Sequence, residues 1–173
     1  MVKVSGTWEE VDEIYAKASG TWELVFSAFE ATAFVTLSSG SGTFTVPDQA
    51  NAIHIQSGVG AGGGGYRGAD YDKAGGESAG PGGGSGGYVS DKILSVTGGE
   101  TLSYSIGSGG SKGTGAFSGS AGDGGNTTLS GSSSGSLFTL NGGGGSSVSG
   151  GGVQGPLRTN TAGTAGSNTI SGT

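Results

Sequence analysis

Residues 42–65 read Gly-Thr-Phe-Thr-Val-Pro-Asp-Gln-Ala-Asn-Ala-Ile-His-Ile-Gln-Ser-Gly-Val-Gly-Ala-Gly-Gly-Gly-Gly. Apolar and polar residues alternate at Phe44 and Val46, and the alternation resumes from Ile53, with the turn former Pro47 between them. Six of the eight residues from 58 to 65 are glycine. The stretch therefore predicts a β-hairpin that leads directly into a glycine segment.

Further glycine runs follow at residues 82–84, 142–145 and 150–152, and strand-like sequence separates them. A flexible linker joins domains, whereas these runs recur between strands. Glycine segments can instead form extended left-handed helices with three residues per turn, which pack closely because no Cβ keeps the backbones apart. Collagen is excluded because the sequence keeps no Gly-X-Y period. We therefore predict an all-β fold, a glycine-rich β-sandwich with packed polyglycine-II-like segments.

Three other parts of the chain carry strand patterns. Residues 33–37 and 42–46 are predicted to pair through a Ser-Ser-Gly-Ser turn. Residues 88–107 alternate on both sides of Gly98-Gly99, which predicts a second hairpin. A last strand is predicted at residues 136–140.

Glycine is distributed unevenly along the 173 residues. Of 43 glycines, only four lie in the first fifty residues, so the composition changes in the thirties. We predict a small module at residues 1–31 and a glycine-rich β domain at residues 32–173.

The charge and the residue types exclude several classes of protein. Seven scattered Lys and Arg residues against 13 acidic residues give a net charge of −6, which argues against a nucleic-acid partner. The absence of cysteine excludes disulfides and thiolate metal sites. The polar start after Met1 predicts no signal peptide, and no apolar stretch approaches the length of a membrane span.

The order of the motifs resembles a known family. The sequence Gly-Thr-Phe-Thr-Val-Pro is followed by Ile-His-Ile, a glycine run, the segment at residues 95–110, Gly-Asp-Gly-Gly-Asn at residues 122–126 and a final glycine run. This order resembles the glycine-rich domain of bacteriophage tail-fibre and other virion proteins. It is more distantly similar to the polyglycine-sandwich adhesins of T-even-like phages. The resemblance covers about residues 32–160.

This resemblance implies a structural protein of the virion, located in a tail fibre or on the particle surface. It implies a component that presents loops to a host-surface receptor, either a glycan or an outer-membrane protein, and that forms a homotrimer with other virion proteins as partners. Two other functions stay open: a capsid-decorating or tail-capping protein without a receptor role, and an ice-binding protein, which would need a flat Thr or Ser array.

Residues 1–31 contain an internal repeat. Val-Ser-Gly-Thr-Trp-Glu-Glu-Val at residues 4–11 recurs at residues 18–25 as Ala-Ser-Gly-Thr-Trp-Glu-Leu-Val. In each copy Ser-Gly lies between two short alternating runs, which predicts two tight hairpins with Trp8 and Trp22 in equivalent positions. A helix from Glu9 to Ala18 is the alternative. Because so short a module cannot bury both tryptophans, we predict that they attach it to a virion protein or to other copies.

No residue pattern indicates an enzyme or a cofactor. His54 is the only histidine and has no cysteine or second histidine to act with, so we expect a structural or surface role. Asp70 and Asp72 resemble a glycosidase pair only in spacing, since catalytic carboxylates need rigid support. A calcium site at residues 122–126 would need stacked repeats, so its Asp and Asn are expected to accept bonds from backbone donors in a tight turn.

Surface recognition remains, and the loop after residue 65 carries the residue types for it. Tyrosine provides contact area with few rotatable bonds, and polar neighbours provide adaptable hydrogen bonds. The predicted receptor-binding residues are Tyr66, Arg67, Asp70 and Tyr71 in this loop, and Arg158 beyond the last glycine run. The same loop could instead contact a neighbouring subunit.

Overall fold

The computed structural model describes residues 2–4, 7–9, 13–18, 20–27, 35–66, 80–114, 118–149 and 159–171. Within these ranges the regular structure is entirely β, which confirms the predicted all-β class. The chain divides into two compact units, Met1–Thr36 and Leu37–Thr173. The boundary lies a few residues after the one predicted from the glycine distribution.

The first unit contains the two predicted hairpins. Strand β1 (Val2–Val4) pairs with β2 (Thr7–Glu9), and β3 (Glu13–Ala18) pairs with β4 (Thr21–Ser27), both antiparallel. The repeat has the same register in both copies, because Lys3 lies opposite Trp8 and Lys17 lies opposite Trp22. Both hairpin predictions are confirmed, and the alternative helix is wrong.

The described part of the second unit contains ten strands. They are β5 (Ser41–Thr45), β6 (Ala52–Val59), β7 (Tyr88–Ser95), β8 (Thr101–Ser105), β9 (Gly119–Ser120), β10 (Thr127–Gly131), β11 (Gly135–Leu140), β12 (Ser147–Ser149), β13 (Thr159–Thr161) and β14 (Asn168–Ile170). One antiparallel sheet has the order β14-β11-β10-β8-β5, a second pairs β6 with β7, and a third has the order β13-β12-β9. Strand β11 confirms the strand predicted at residues 136–140.

The hydrophobic core lies between the five-stranded sheet and the β6–β7 sheet. Both sheets contribute buried side chains, and each fully buried aliphatic residue contributes about 1.5–3 kcal/mol. The buried cluster consists of Val46, Val89, Leu94, Val96, Leu102, Leu129, Leu137, Phe138 and Leu140. The two sheets therefore form a small sandwich.

The predicted strand partners are wrong in this sandwich. Strand β5 pairs with β8, and β6 pairs with β7, so neither residues 42–58 nor residues 88–107 form a hairpin. Residues 35–37 belong to no strand, so the strand predicted at residues 33–37 is wrong over its described part. Alternation fixes which face a side chain occupies, but it does not select the strand that lies alongside.

The chain changes sheet at two connections that run side by side. The Val46 amide donates to the Glu100 carbonyl at 2.8 Å, and the Val96 amide donates to the Asn51 carbonyl at 3.0 Å. A Cβ at position 98 would overlap the Asp48 carbonyl oxygen, so only glycine lets the two connections approach this closely. The turns that suggested hairpins are therefore crossovers between the sheets.

Six glycine-rich segments extend from the sandwich and bond to one another through their backbones. We call them segments A to F: residues 60–66, 80–87, 106–113, 121–126, 141–146 and 162–167. Segment A bonds to segment B at every third residue, in the antiparallel direction. The donor and acceptor pairs are Gly60 to Gly87, Gly63 to Gly84 and Tyr66 to Pro81, at 2.7, 2.8 and 3.1 Å.

The same three-residue interval recurs between the other segments. Gly110 and Gly113 of segment C donate to Gly62 and Gly65 of segment A at 2.9 and 3.0 Å, in the parallel direction. Segment A also bonds to D and E, segment E bonds to B, D and F, segment C bonds to D, and segment B bonds to F. This pattern orders the segments in two rows, C-A-B and D-E-F. An interval of three residues is the period of a polyproline-II-type helix.

Glu100 is a buried carboxylate that joins two turns of the sandwich. Its Oε1 accepts from the Thr97 amide at 2.6 Å and from the Ser134 hydroxyl, and its Oε2 accepts from the Ser133 and Ser134 amides at 3.0 Å each. These bonds, that from the Ser134 hydroxyl most and that from the Thr97 amide next, lower the pKa of Glu100 from 4.5 to about 2, against the effect of burial.

Because the pKa of Glu100 is lower in the folded chain than in the unfolded chain, its stabilising effect is present above pH 4.5 and is lost as the pH falls towards 2. Glu100→Gln should therefore lower the urea midpoint at pH 7, and the difference from the wild type should shrink between pH 4.5 and pH 2. Asp91→Asn, at an exposed carboxylate, is the control and should change little. A difference that does not change with pH would contradict this role.

Candidate binding tip of the glycine bundle

The connections from segment A to B, from C to D and from E to F all begin and end at the same end of the bundle. Segments A, C and E leave the sandwich directly after β6, β8 and β11, and segments B, D and F return directly to β7, β10 and β14. The three outgoing segments are mutually parallel, and the returning segments are antiparallel to them. The ends of A, C and E therefore lie together, away from the sandwich. We call this end the tip.

The third sheet forms part of the tip. In its β13-β12-β9 order, Ser147 lies opposite Thr161 on one side and Ser120 on the other. Ser149 lies opposite Thr159, and both are exposed. The described residues of this sheet therefore offer hydroxyl and amide groups, which suit hydrogen bonding to a neutral polar partner.

Tyr66 closes the bundle beneath this sheet, and its burial corrects the prediction of an exposed contact residue. Its side chain is only 5% exposed, and its backbone forms a parallel bridge with Gly113. The ring lies against Gly113 and Gly119, where a Cβ would collide with it or crowd it. The polar sequence that follows Tyr66 predicted a loop, but the glycines of neighbouring segments provide the space that buries the ring.

Ser146 is a second buried residue at the tip. Its amide donates to the Gly64 carbonyl at 3.1 Å, and its hydroxyl donates to the Pro81 carbonyl at 2.9 Å. Since the Tyr66 amide also donates to Pro81, segments A, B and E are held together where they meet the tip sheet. The sheet therefore rests on a rigid base.

The other predicted receptor-binding residues, Arg67, Asp70, Tyr71 and Arg158, lie outside the described residues, as do Asp72 and the glycine run at 150–152. Trp8 is described only through the backbone of β2. Trp22 is 64% exposed, and the Lys17 Nζ lies 5.9 Å from its ring centroid, within the range of a cation–π contact.

Sequence reasoning missed the residues of the tip sheet. Ser-Val-Ser at residues 147–149 alternates polar and apolar residues over three positions only, and Thr-Asn-Thr at residues 159–161 contains no apolar residue. So short an alternation is a weak strand signal, because strands usually contain five or six residues. The hydroxyl side chains at both ends of each triplet are the signal that could have found them.

Asp123 and Asn126 accept hydrogen bonds from the backbone as predicted, but not within the tight turn that was expected. The Asp123 Oδ1 accepts from the Gly145 amide at 2.7 Å, and the Asn126 Oδ1 accepts from the Gly142 amide at 3.0 Å. Both donors belong to segment E, so the side chains bridge two segments rather than close a turn. Among the residues that the structure describes, no cluster of three His, Asp or Glu residues could hold a metal ion.

His54 lies on the surface of the β6–β7 sheet. Its Nε2 lies 2.8 Å from the Asp91 Oδ1, and both side chains are largely exposed. Asp91 has a φ of 47°, a left-handed conformation that Asp tolerates better than most residues. The pair is therefore a surface contact at an irregular point of β7, in line with the surface role expected of His54.

No family model, curated protein or solved structure matches the chain. None of the described segments forms a helix of the length and apolar character needed to cross a membrane.

Proposed function

We propose that the chain is a structural protein of a phage virion, a tail-fibre or spike component that presents the tip to a receptor on the host surface. The observation that carries this proposal is the convergence of all three turnarounds of the bundle at the end away from the sandwich. A rigid scaffold that collects its connections at one end is a common arrangement for binding. The resemblance of the motif order to phage virion proteins supports the same function.

The exposed hydroxyl and amide groups of the tip sheet indicate the kind of contact. A neutral surface of this type forms hydrogen bonds to glycan hydroxyls or to exposed peptide groups, and it needs no charge complementarity. The buried Tyr66 and Ser146 keep the sheet in place, so little order has to be gained on binding. Tyr66 itself takes no part in the contact.

The hairpin unit is proposed to attach the chain to the particle. Trp22 is exposed on β4 beside Lys17, and the first hairpin repeats the same Lys–Trp register. Exposed tryptophans are enriched at the centres of protein interfaces. A neighbouring virion protein that covers Trp22 would bury most of its ring.

The test of receptor binding compares two threonines in similar strands. Thr159 lies in β13 at the tip and Thr169 lies in β14 of the sandwich; both are exposed, and each strand contains three residues at a sheet edge. Thr159→Arg should weaken binding of the labelled chain to host cells at least tenfold, about 1.4 kcal/mol, because the long side chain blocks the sheet. Thr169→Arg should bind like the wild type.

If both variants bind host cells equally well, the tip is not the contact surface. Antibody labelling of the intact particle is the second measurement. A position on the capsid face would contradict the receptor role and favour a capsid-decorating protein. The ice-binding alternative has weaker support, because glycine occupies outward positions 62, 65, 82 and 109 of the C-A-B row, so Ser85 there is not part of a regular Thr or Ser array.

A further inference from the structure

The outward face of the C-A-B row carries few side chains along the bundle, because glycine occupies four of its positions. Exposed positions recur there at intervals of three residues, and the line through segment A continues back into the last residue of β6. The line through segment B continues forward into the first residue of β7 in the same way. We call this surface the open face and define it by Val59, Gly62, Gly65, Gly82, Ser85, Tyr88, Gly109 and Lys112.

Nothing within the described part of the chain requires glycine on the open face. A Cβ would meet no atom within 4 Å at Gly82 or Gly109, and the nearest atoms to a Cβ at Gly62 and Gly65 would be 3.7 and 3.8 Å away. None of these four glycines has a positive φ. Because exposed glycine costs conformational entropy on folding, an open face of alanine or serine would give a more stable isolated chain.

The D-E-F row carries side chains at more of its exposed positions. Its exposed positions include Ala162 and Ala165, and the side chains of Asp123 and Asn126 accept bonds from segment E. On the open face, by contrast, the amides of its four glycines donate no hydrogen bond within the part of the chain that the structure describes. The two rows thus differ in how much of the exposed backbone side chains cover.

The open face also continues into apolar surface. Val59 and Tyr88 lie opposite each other at the ends of β6 and β7, and they are 66% and 65% exposed. Ile93, further along β7, is 65% exposed. Bare backbone beside an exposed apolar group is the combination expected where another backbone approaches closely.

We propose that the open face is an interface between two copies of this chain, in which the open face of one copy packs against that of the other. Within the bundle, glycine segments already bond to neighbours in both parallel and antiparallel directions, so a second copy can continue the same packing. Lys112 is exposed on segment C three residues after Gly109, so the open face carries a positive charge. None of the residues that define the open face is acidic, so two chains of net charge −6 can meet here without carboxylates of the face itself in opposition.

The size of the open face sets the strength of the contact. Segments of about 20 Å in a row of three cover roughly 300 Å², and the two strands of the β6–β7 sheet add a similar area. Two copies would then bury about 1,100 Å² in total, at the lower limit for a specific interface. We therefore expect a weak dimer that forms at high local concentration, as on a particle.

The test is sedimentation velocity of the full chain from about 1 μM to about 1 mM, the range in which a contact of this size should associate. The wild type should shift from monomer to dimer. The double variant Gly82→Gln/Gly109→Gln should raise the dissociation constant at least tenfold with an unchanged melting temperature. The double variant Ala162→Gln/Ala165→Gln, on the D-E-F row, should dimerise like the wild type.

A second measurement keeps the proposal testable if the glycine variants fold poorly. Hydrogen exchange of the Gly62 and Gly65 amides in the wild type should slow as the concentration rises, because these amides become covered only in the dimer. A wild type that stays monomeric at about 1 mM, a dimer that the Gly82→Gln/Gly109→Gln variant leaves intact, or unchanged exchange would each overturn the interface. None of these outcomes bears on host binding, which is measured separately.

Discussion

Gly63→Ala is expected to destabilise the glycine-rich unit by about 3 kcal/mol or more, the combined scale of overpacking and of a lost buried hydrogen bond. A Cβ at this position would overlap the carbonyl oxygen of Gly144, and it would also approach the Gly143 carbonyl oxygen to 2.7 Å. Both obstacles are backbone atoms of segment E, which its own bonds hold in place. Relief would require segment A to move away, and that movement would break the Gly63–Gly84 bond.

The adjacent residue provides the control. A Cβ at Gly62 would have its nearest neighbour, the Gly84 carbonyl oxygen, at 3.7 Å, an ordinary van der Waals distance. Gly62→Ala should therefore melt at or slightly above the wild-type temperature, since it restricts the unfolded chain by about 0.4–1 kcal/mol. Thermal melts of the three chains at low concentration, followed by circular dichroism, make the comparison. Equal losses in both variants would mean that segment A is not packed against segment E.

Tyr66→Ala is expected to cost about 3–5 kcal/mol of unfolding free energy, the range for removing a buried aromatic ring. The ring fills the space between Gly113 and Gly119, and these glycines have no side chains that could close the cavity. The loss should also disturb the tip sheet, because Gly119 belongs to β9. Denaturant titration measures the stability.

Tyr66→Phe is the matched variant, since it keeps the ring and removes only the hydroxyl. It should retain most of the stability that Tyr66→Ala loses. If Tyr66→Ala instead melts like the wild type, the side chain is not buried in solution, and the original prediction of an exposed contact residue would regain support.

Local patterns predicted the elements of this protein better than their partners. The Ser-Gly repeat in the first unit predicted both hairpins correctly, because only two residues separate the paired strands in each copy. In the second unit, Pro47 and Gly98-Gly99 correctly indicate turns, but the local pattern predicts hairpins at these turns. The same residues serve a crossover, and the difference depends on strands far away in sequence.

The candidate site was less predictable than the fold. Four of the five proposed contact residues lie outside the described residues and stay predictions, whereas Tyr66 is buried. Its burial depends on the space left by Gly113 and Gly119, which lie about fifty residues further along the chain. The residues next to Tyr66 in the sequence therefore cannot show that its side chain is buried.

The sequence by itself determined the all-β class, the two hairpins of the first unit and the recurrence of glycine segments between strands, because alternation, turn residues and missing side chains act over a few neighbouring residues. The tertiary structure alone decided which strands pair, that Tyr66 lies inside, and that three connections meet at one tip. Pairing is decided by contacts between distant parts of the chain. Those contacts also explain why residues 63 and 98 are glycine, since the carbonyl group of a distant residue occupies the place that a Cβ would take.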